Sequence, residues 1–451
     1  MNRLLLLLTF AALLADAQPA MLDDAVRLKD AALDGMTAFP MLEELLAGGH
    51  RFSGSEGYER AVIWAEKAMS KAGADSVWLQ PVTVPRWVRG ARERSVMTLS
   101  GKRHPLAVRA LGGSVGTGPA GVTGRVIEVR SLEEAAALGP RAKGAVIFYN
   151  RAFDRTKVNT FEAYGGAVDQ RGRGAIEAAK VGAAAVLVRS MTNAADDVPH
   201  TGAMRYHDSV PKIPAAAIGA ASAERLSRAL RSGTEVSVTL TMDCRTLPDV
   251  ESHSVIGEIR GTERPDEVVL LGAHLDSWDL GTGAHDDGSG VVQCIDVLSL
   301  YRRLGMRPKR TVRVVLFANE ENGLRGARAY AAFAERSPQR HIAAIETDAG
   351  GFAPRGFTTD ADSVRFRRLM EAMPLLDVVN AGSLRPGSGG ADVDQIRTPG
   401  IVHIGLRPED QRYFDHHHAD TDTLGAVHPR ELQLGSAALA ILAWYIAESD
   451  L

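Results

Sequence analysis

The chain has 451 residues, 45% hydrophobic and 24% charged, which is enough for two or three packed domains with separate cores. Its 52 Lys and Arg nearly balance its 55 Asp and Glu, which excludes a global field that would recruit nucleic acid or an anionic membrane. The only cysteines, Cys244 and Cys294, are too few for a disulfide framework and leave room for at most one bridge.

The chain opens with "MNRLLLLLTFAALLADAQPA", in which Arg3 precedes an apolar run from Leu4 to Leu14 and the small-x-small step Ala15-Asp16-Ala17. That layout predicts a cleaved secretory signal over 1–17, with Gln18 as the first mature residue. The apolar run is shorter than the ~20 residues that span a bilayer, and no later run is long enough either. The mature protein is therefore expected to be exported, periplasmic or secreted, without a membrane span.

From Asp23 to Leu46 apolar residues recur at helical spacing, and "EGYERAVIWAEKAMSKAG" predicts a further helix before the strand-like "SVWLQPVTV". Between Gly113 and Arg245 the runs "GRVIEV", "GAVIFYN", "AAAVLVR" and "EVSVTLTM" alternate with the helical stretches "RGRGAIEAAKVG" and "SAERLSRALRSG", which predicts a compact β-rich domain over 113–245. After Pro248 the rhythm is strand, glycine turn and long helix: "EVVLLGAHLD", "SGVVQCIDVLSLYRRLG", "TVRVVLFANEE", "LRGARAYAAFAER", "HIAAIETDAGG". This alternation predicts an α/β fold with a mixed, mostly parallel sheet sandwiched by helices. The N-terminal helices have no sheet of their own, so 18–112 and 246–451 are read as one domain interrupted by 113–245. In "VVQCIDVL" Cys294 reads as a small apolar residue on a buried helix face.

In open α/β sheets ligands bind outside the carboxyl ends of the strands, and the acidic residues cluster there. "VVLLGAH" leads into His274 and Asp276, "VRVVLFAN" into Glu320 and Glu321, and "IAAIETD" ends at Asp348. The glycine-rich "LLGAHLDSWDLGTGAHDDGSG" adds Asp279, His285, Asp286 and Asp287, and "YFDHHHADTDT" adds three consecutive histidines. Like charges converging in a partly dry crevice repel one another, so a divalent cation is expected among them. Mixed imidazole and carboxylate donors point to zinc or a similar transition metal instead of calcium. The segment also lacks the alternate spacing of an EF-hand loop, and a metal-free carboxylate pair of the glycosidase kind would not explain the histidines.

The motifs "GAHLDSWDLGTGAHDDGSG", "RPKRTVRVVLFANEENGLRGARAY", "ETDAGGF" and "HHHADTDT" resemble, in the same order, those of the di-zinc exopeptidases that include the bacterial leucyl aminopeptidases. They look most like the plasma glutamate carboxypeptidase (carboxypeptidase Q) branch. "EAAKVGAAAVLVRS" and "VPKIPAAAIG" make the 113–245 stretch look like a protease-associated domain. The resemblance implies two zinc ions per chain, with His274 and Asp348 on one, Glu321 and His418 on the other, and Asp286 bridging both. It implies Glu320 as general base, Asp276 as the residue orienting His274, and a cis peptide between Asp286 and Asp287. His418 is preferred among the three histidines because the family places its ligand four residues before an Asp-Thr pair, here Asp422-Thr423; His417 is the fallback. His285 is not expected to be a ligand, and His403, inside an apolar strand, is expected to be a satisfied core residue. "RPGSGGADVDQ" resembles the substrate-side loop, with Asp392 near a substrate amine.

The expected reaction is metal-dependent hydrolysis of dipeptides, or of the terminal bond of short peptides, by a zinc-activated water. Peptide is the expected partner, not nucleic acid, and a homodimer is plausible by resemblance alone. Two other readings of the same fold are a catalytically inactive scaffold or receptor, which loses ligands, and a glutaminyl cyclase-like acyltransferase, which commonly uses one zinc.

Overall fold

Strands that are apolar on both faces belong in the middle of a sheet covered on both sides, and Arg310–Phe317 is buried at every residue while Arg264–His274 is buried over its last seven. The computed structural model describes residues 20–451; the signal segment expected over 1–17 lies outside them. These two strands lie at the centre of an eight-stranded sheet. Its order is Ser76–Val88, Arg245–Ile259, Arg310–Phe317, Arg264–His274, Arg340–Glu346, Val402–Pro408, Pro354–Thr359, Leu384–Pro386. The four strands from Arg310–Phe317 to Val402–Pro408 run parallel to their neighbours, and the antiparallel pairings lie outside them. The sheet is thus mixed and mostly parallel, as the strand and helix alternation predicts, and the four parallel strands present their carboxyl ends along one edge.

Helices Ser289–Leu304 and Pro429–Glu448 share one buried apolar cluster with the N-terminal helices, including Leu28, Leu42, Tyr58, Leu298 and Leu439. Helix Arg325–Arg336 covers the opposite face, where Ala327, Tyr330 and Ala334 meet Val268, Leu270 and Val315. The single helical rhythm from Asp23 to Leu46 is split in the structure: one helix covers 20–35 and the next spans Ala38–Leu46. Met36 takes φ 46, Thr37 donates to Asp296 at 2.5 Å, and the Ala38 amide donates to Gln433 Oε1 at 3.0 Å. Tertiary contacts, invisible to periodicity, fix that break.

A second eight-stranded sheet is formed by the chain between Val88 and Arg245, in the order Lys102–Leu106, Glu93–Leu99, Val236–Met242, Val122–Val129, Val146–Tyr149, Ala185–Arg189, Ala215–Ile218, Val108–Ala110. Three of its strands precede Gly113, where the composition changes. They lie at or next to the sheet's edges: "KRHPL" is exposed at four of its five residues, as an edge strand can be, and "ERSVMTL", one strand in, is mostly half-buried. The connection to the first sheet is a long antiparallel ribbon, paired from Ser76↔Glu258 to Val88↔Arg245.

Cys244 and Cys294 are free and buried in different apolar clusters. Without reductant, native protein is therefore expected to resist a thiol reagent, whereas the denatured chain should titrate two thiols; a count of zero after denaturation would contradict the fold described.

Candidate metal centre

Asp286 stands between two imidazoles. Its Oδ1 lies 3.2 Å from His274 Nε2 and its Oδ2 lies 3.2 Å from His418 Nε2. His274 Nε2 is also 3.4 Å from Asp348 Oδ1, and His418 Nε2 is 3.1 Å from Glu321 Oε2. The structure thus brings His274, Asp286, Glu321, Asp348 and His418 together as two imidazole–carboxylate pairs sharing one aspartate. They come from the ends of three parallel strands, the glycine-rich loop and the loop after Val402–Pro408.

The chemistry of this donor set fits divalent cations. His274 Nε2, Asp348 Oδ1 and Glu321 Oε1 are enclosed without a hydrogen-bond partner, an arrangement that is costly unless something else binds those lone pairs. Burial alone would lower the basicity of His274, yet Asp348 and Asp286 hold it well above the usual imidazole range. Burial and the neighbouring Asp286 push Glu321 well above the usual carboxylate range. The protein groups alone can relieve their repulsion only by taking up protons, so the cluster calls for positive charge.

Two further residues fall within metal-ligand reach: Asp287 beside His274 and Asp348, and His417 beside Asp286 and His418. Both oxygens of Asp287 are occupied by main-chain donors, His274 N at 3.1 Å and Gly290 N at 3.0 Å. His417 Nε2 is 3.9 Å from Asp286 Oδ2, farther than His418, and its ring stacks on that of His418 with centroids 3.5 Å apart. His418 Nε2 thus lies nearer Asp286 than His417 Nε2 does, and His418 takes a positive φ of 58.

Asp276 meets His274 through its main-chain oxygen, 3.1 Å from Nδ1, while its carboxylate stands 3.8 Å away. That carboxylate instead accepts the amides of Glu320 at 3.0 Å and Glu321 at 3.3 Å and the Ser53 hydroxyl at 3.1 Å. It therefore fixes the turn after Arg310–Phe317, which lets adjacent Glu320 and Glu321 point differently. Burial, reinforced by Asp348, Asp276 and Asp286 and opposed by His274, pushes Glu320 up to about 8.

His285 is no part of the donor cluster: it stacks on Phe352 at 4.1 Å, lies 3.1 Å from the Ala426 oxygen through Nε2, and accepts the Gly351 amide at 3.1 Å through Nδ1. His403 is satisfied by Asp360 at 2.6 Å and the Ile396 oxygen at 2.8 Å. Asp279 pairs with Arg89 through contacts of 2.8 and 2.7 Å. The Asp286–Asp287 peptide is cis, as the resemblance implies.

Several supporting residues carry no strong sequence signal. Arg51, fully buried, donates to the carbonyls of Leu275 at 2.8 Å, Thr282 at 2.5 Å and Gly283 at 2.9 Å, gathering the glycine-rich loop. Asp422, used above only to count spacing, accepts the amides of His285 at 2.7 Å and Asp286 at 3.1 Å. From the second sheet unit, Thr201 donates to the His418 carbonyl through its amide at 3.0 Å and its hydroxyl at 3.2 Å. Asp392 is buried with neither carboxylate oxygen hydrogen-bonded, and its amide donates to Glu346 Oε2 at 3.1 Å. Burial and Asp348 push Glu346 up to about 8. Strand alternation, which puts residues two apart on one face, is the signal that would have placed Glu346 beside Asp348.

A model of peptidase family M28 matches residues 254–442. Carboxypeptidase Q of Bos taurus is 36% identical over 403 residues, covering 89% of this chain and 83% of the relative. The structure of a peptidase M28 precursor from Shewanella amazonensis superposes with a TM-score of 0.92 at 33% identity, covering 96% of this chain and 98% of the other. A zinc aminopeptidase from Bacillus subtilis, at 18% identity and TM-score 0.64 over 91% and 95% of the two chains, shares the fold. With its sheet, donor cluster and long-range similarity in agreement, the chain belongs to peptidase family M28.

Proposed function

We propose that this protein is a di-zinc exopeptidase that hydrolyses dipeptides or the terminal bond of short peptides. The observation that carries this reading is Asp286, set between two imidazole–carboxylate pairs with Glu320 alongside. His274 and Asp348 would hold one ion, Glu321 and His418 the other, and Asp286 both. Zinc supplies Lewis acidity to the scissile carbonyl and lowers the pKa of water towards ~7. A carboxypeptidase and a zinc aminopeptidase both stand among the similar proteins, which supports terminal cleavage and zinc as the metal.

Glu320 takes the proton of the attacking water and returns it to the leaving amine. Positive charge in the cluster opposes the carboxylates that push Glu320 upward, favouring the ionised form that a base needs. Asp276 serves the reaction by holding the Glu320–Glu321 turn and, through its carbonyl, the His274 ring. Asp392, a buried carboxylate without a partner, is assigned to the substrate's amine. An inactive scaffold would be expected to have lost part of this set; here all five donors and Glu320 converge. The second sheet unit is read as a protease-associated insertion, and the N-terminal segment as an export signal. Among the described residues no helix is long and apolar enough to cross a membrane.

Purified protein assayed on dipeptides and aminoacyl anilides should lose activity to a chelator and regain it with zinc, with two zinc ions per chain by elemental analysis; one ion would favour the cyclase reading. Glu320→Gln should lower kcat by ~10²–10⁴-fold while keeping its zinc, and near-full activity would remove Glu320 from the mechanism. His418→Ala should lose one equivalent of zinc and His417→Ala none; the reverse result would exchange their roles.

A further inference from the structure

An imidazole that gives its Nε2 lone pair to a cation must carry its proton on Nδ1, and when that N–H is buried it needs an acceptor. Both imidazoles of the donor cluster meet this demand with a main-chain carbonyl, but from different parts of the chain. His274 Nδ1 lies 3.1 Å from the Asp276 oxygen, two residues along its own loop. His418 Nδ1 lies 3.4 Å from the Thr201 oxygen, which belongs to the second sheet unit.

That second carbonyl is held by a buried arginine. Arg171, on the helix Asp169–Lys180, donates through Nη1 to the Thr201 oxygen at 2.9 Å and through Nη2 to the Tyr164 hydroxyl at 2.5 Å. The same Nη1 stands 3.3 Å from His418 Nδ1, although a guanidinium has no lone pair with which to accept the imidazole proton. The Thr201 oxygen is therefore the acceptor, shared by Arg171 and His418, and it sets which ring nitrogen faces Asp286 and Glu321 with a free lone pair. Further contacts fix the same segment. Thr201 donates to the His418 carbonyl through its amide at 3.0 Å and its hydroxyl at 3.2 Å, and His200 Nδ1 donates to the His417 carbonyl at 2.8 Å. Gly202 makes the close approach possible: its φ is 120, and a Cβ there would stand 2.3 Å from Arg171 Nη1 and 2.6 Å from His418 Nδ1.

We propose that Arg171 and Gly202 are positioning residues of the metal centre, through which the second sheet unit governs one of its two ions. The Glu321–His418 site binds its ion tightly only when the Thr201 carbonyl is set against His418, whereas the His274–Asp348 site does not depend on it. The inference rests on the di-zinc reading above, which supplies the ions but assigns the second unit no part in holding them. Asp286 touches both imidazoles alike, at 3.2 Å each. The difference between the two sites therefore lies behind the rings, at Nδ1, where one is backed from its own loop and the other across the junction of the two units.

The test uses the full chain, stripped of metal and titrated with zinc against a chromophoric chelator. The unaltered protein should take up two ions. Arg171→Met should weaken one of them by roughly 10- to 100-fold and leave the other unchanged; Arg171→Lys should recover part of the loss, and Gly202→Ala should reproduce it. Adding Arg171→Met to His418→Ala, which has already lost that ion, should not alter the affinity for the one remaining. Equal weakening of both ions, no weakening of either, or a further loss in the His418→Ala background would overturn the proposal. Circular dichroism of the metal-free variants reports their folding, and if Arg171→Met is unfolded, Arg171→Lys and Gly202→Ala decide by the same criterion. Two tightly bound ions without hydrolysis of any peptide would end the peptidase reading and leave the affinities to decide this one. A single ion that survives His418→Ala would overturn this proposal together with the two-ion reading.

Discussion

Carboxylates that converge in a crevice closed to water cannot all stay ionised unless positive charge joins them, and the first sheet unit is organised around that constraint. Its parallel strands bring His274, Glu321 and Asp348 to one edge, and the loops add Asp286 and His418. The acids beside the cluster are treated differently from those within it. Asp276 accepts two main-chain amides, Asp287 accepts two and Asp422 accepts two. Neutral N–H groups thus satisfy the supporting carboxylates of Asp276, Asp287 and Asp422. Of the buried arginines close by, Arg51 spends its hydrogen bonds on three carbonyls, and Arg171 donates to the Thr201 carbonyl at 2.9 Å and lies 3.3 Å from His418 Nδ1.

The second sheet unit contributes directly to this site. Thr201 grips the His418 carbonyl, and Trp278, from the glycine-rich loop, is buried in the second unit's own apolar cluster with Trp87 and Phe52. Gly112 lies so close to the Trp278 ring that an added Cβ would sit 2.1 Å from it. The two units are therefore coupled through the loop that carries Asp286 as well as through the ribbon that joins them.

Much of this was readable before any coordinates. Repeated strand–turn–helix rhythm gives the α/β class, because burial on both faces of a sheet demands continuous apolar runs. Clustering of acids and imidazoles at strand ends marks the donor set, since that is where a parallel sheet opens. What stayed hidden depends on contacts distant in sequence. The helix break at Met36 is set by Asp296 and Gln433. The edge strands ahead of Gly113 carry polar residues like those of a loop. Arg51 and Thr201 matter through main-chain groups that no side-chain pattern announces, and the carboxylate of Asp276 turned out to hold the Glu320–Glu321 turn more closely than the imidazole of His274.

The order in which the parts appear along the chain has a consequence for assembly. All strands of the second sheet lie between Glu93 and Met242, so that unit is complete early in synthesis. The first unit closes only when the last helix arrives: Trp444 Nε1 donates to Asp24 Oδ2 at 3.1 Å, and Gln433 receives the Ala38 amide. Domains tend to fold as units as the chain emerges. Thr201 can therefore be in place before His418 exists, since it precedes by 217 residues the histidine whose carbonyl it holds.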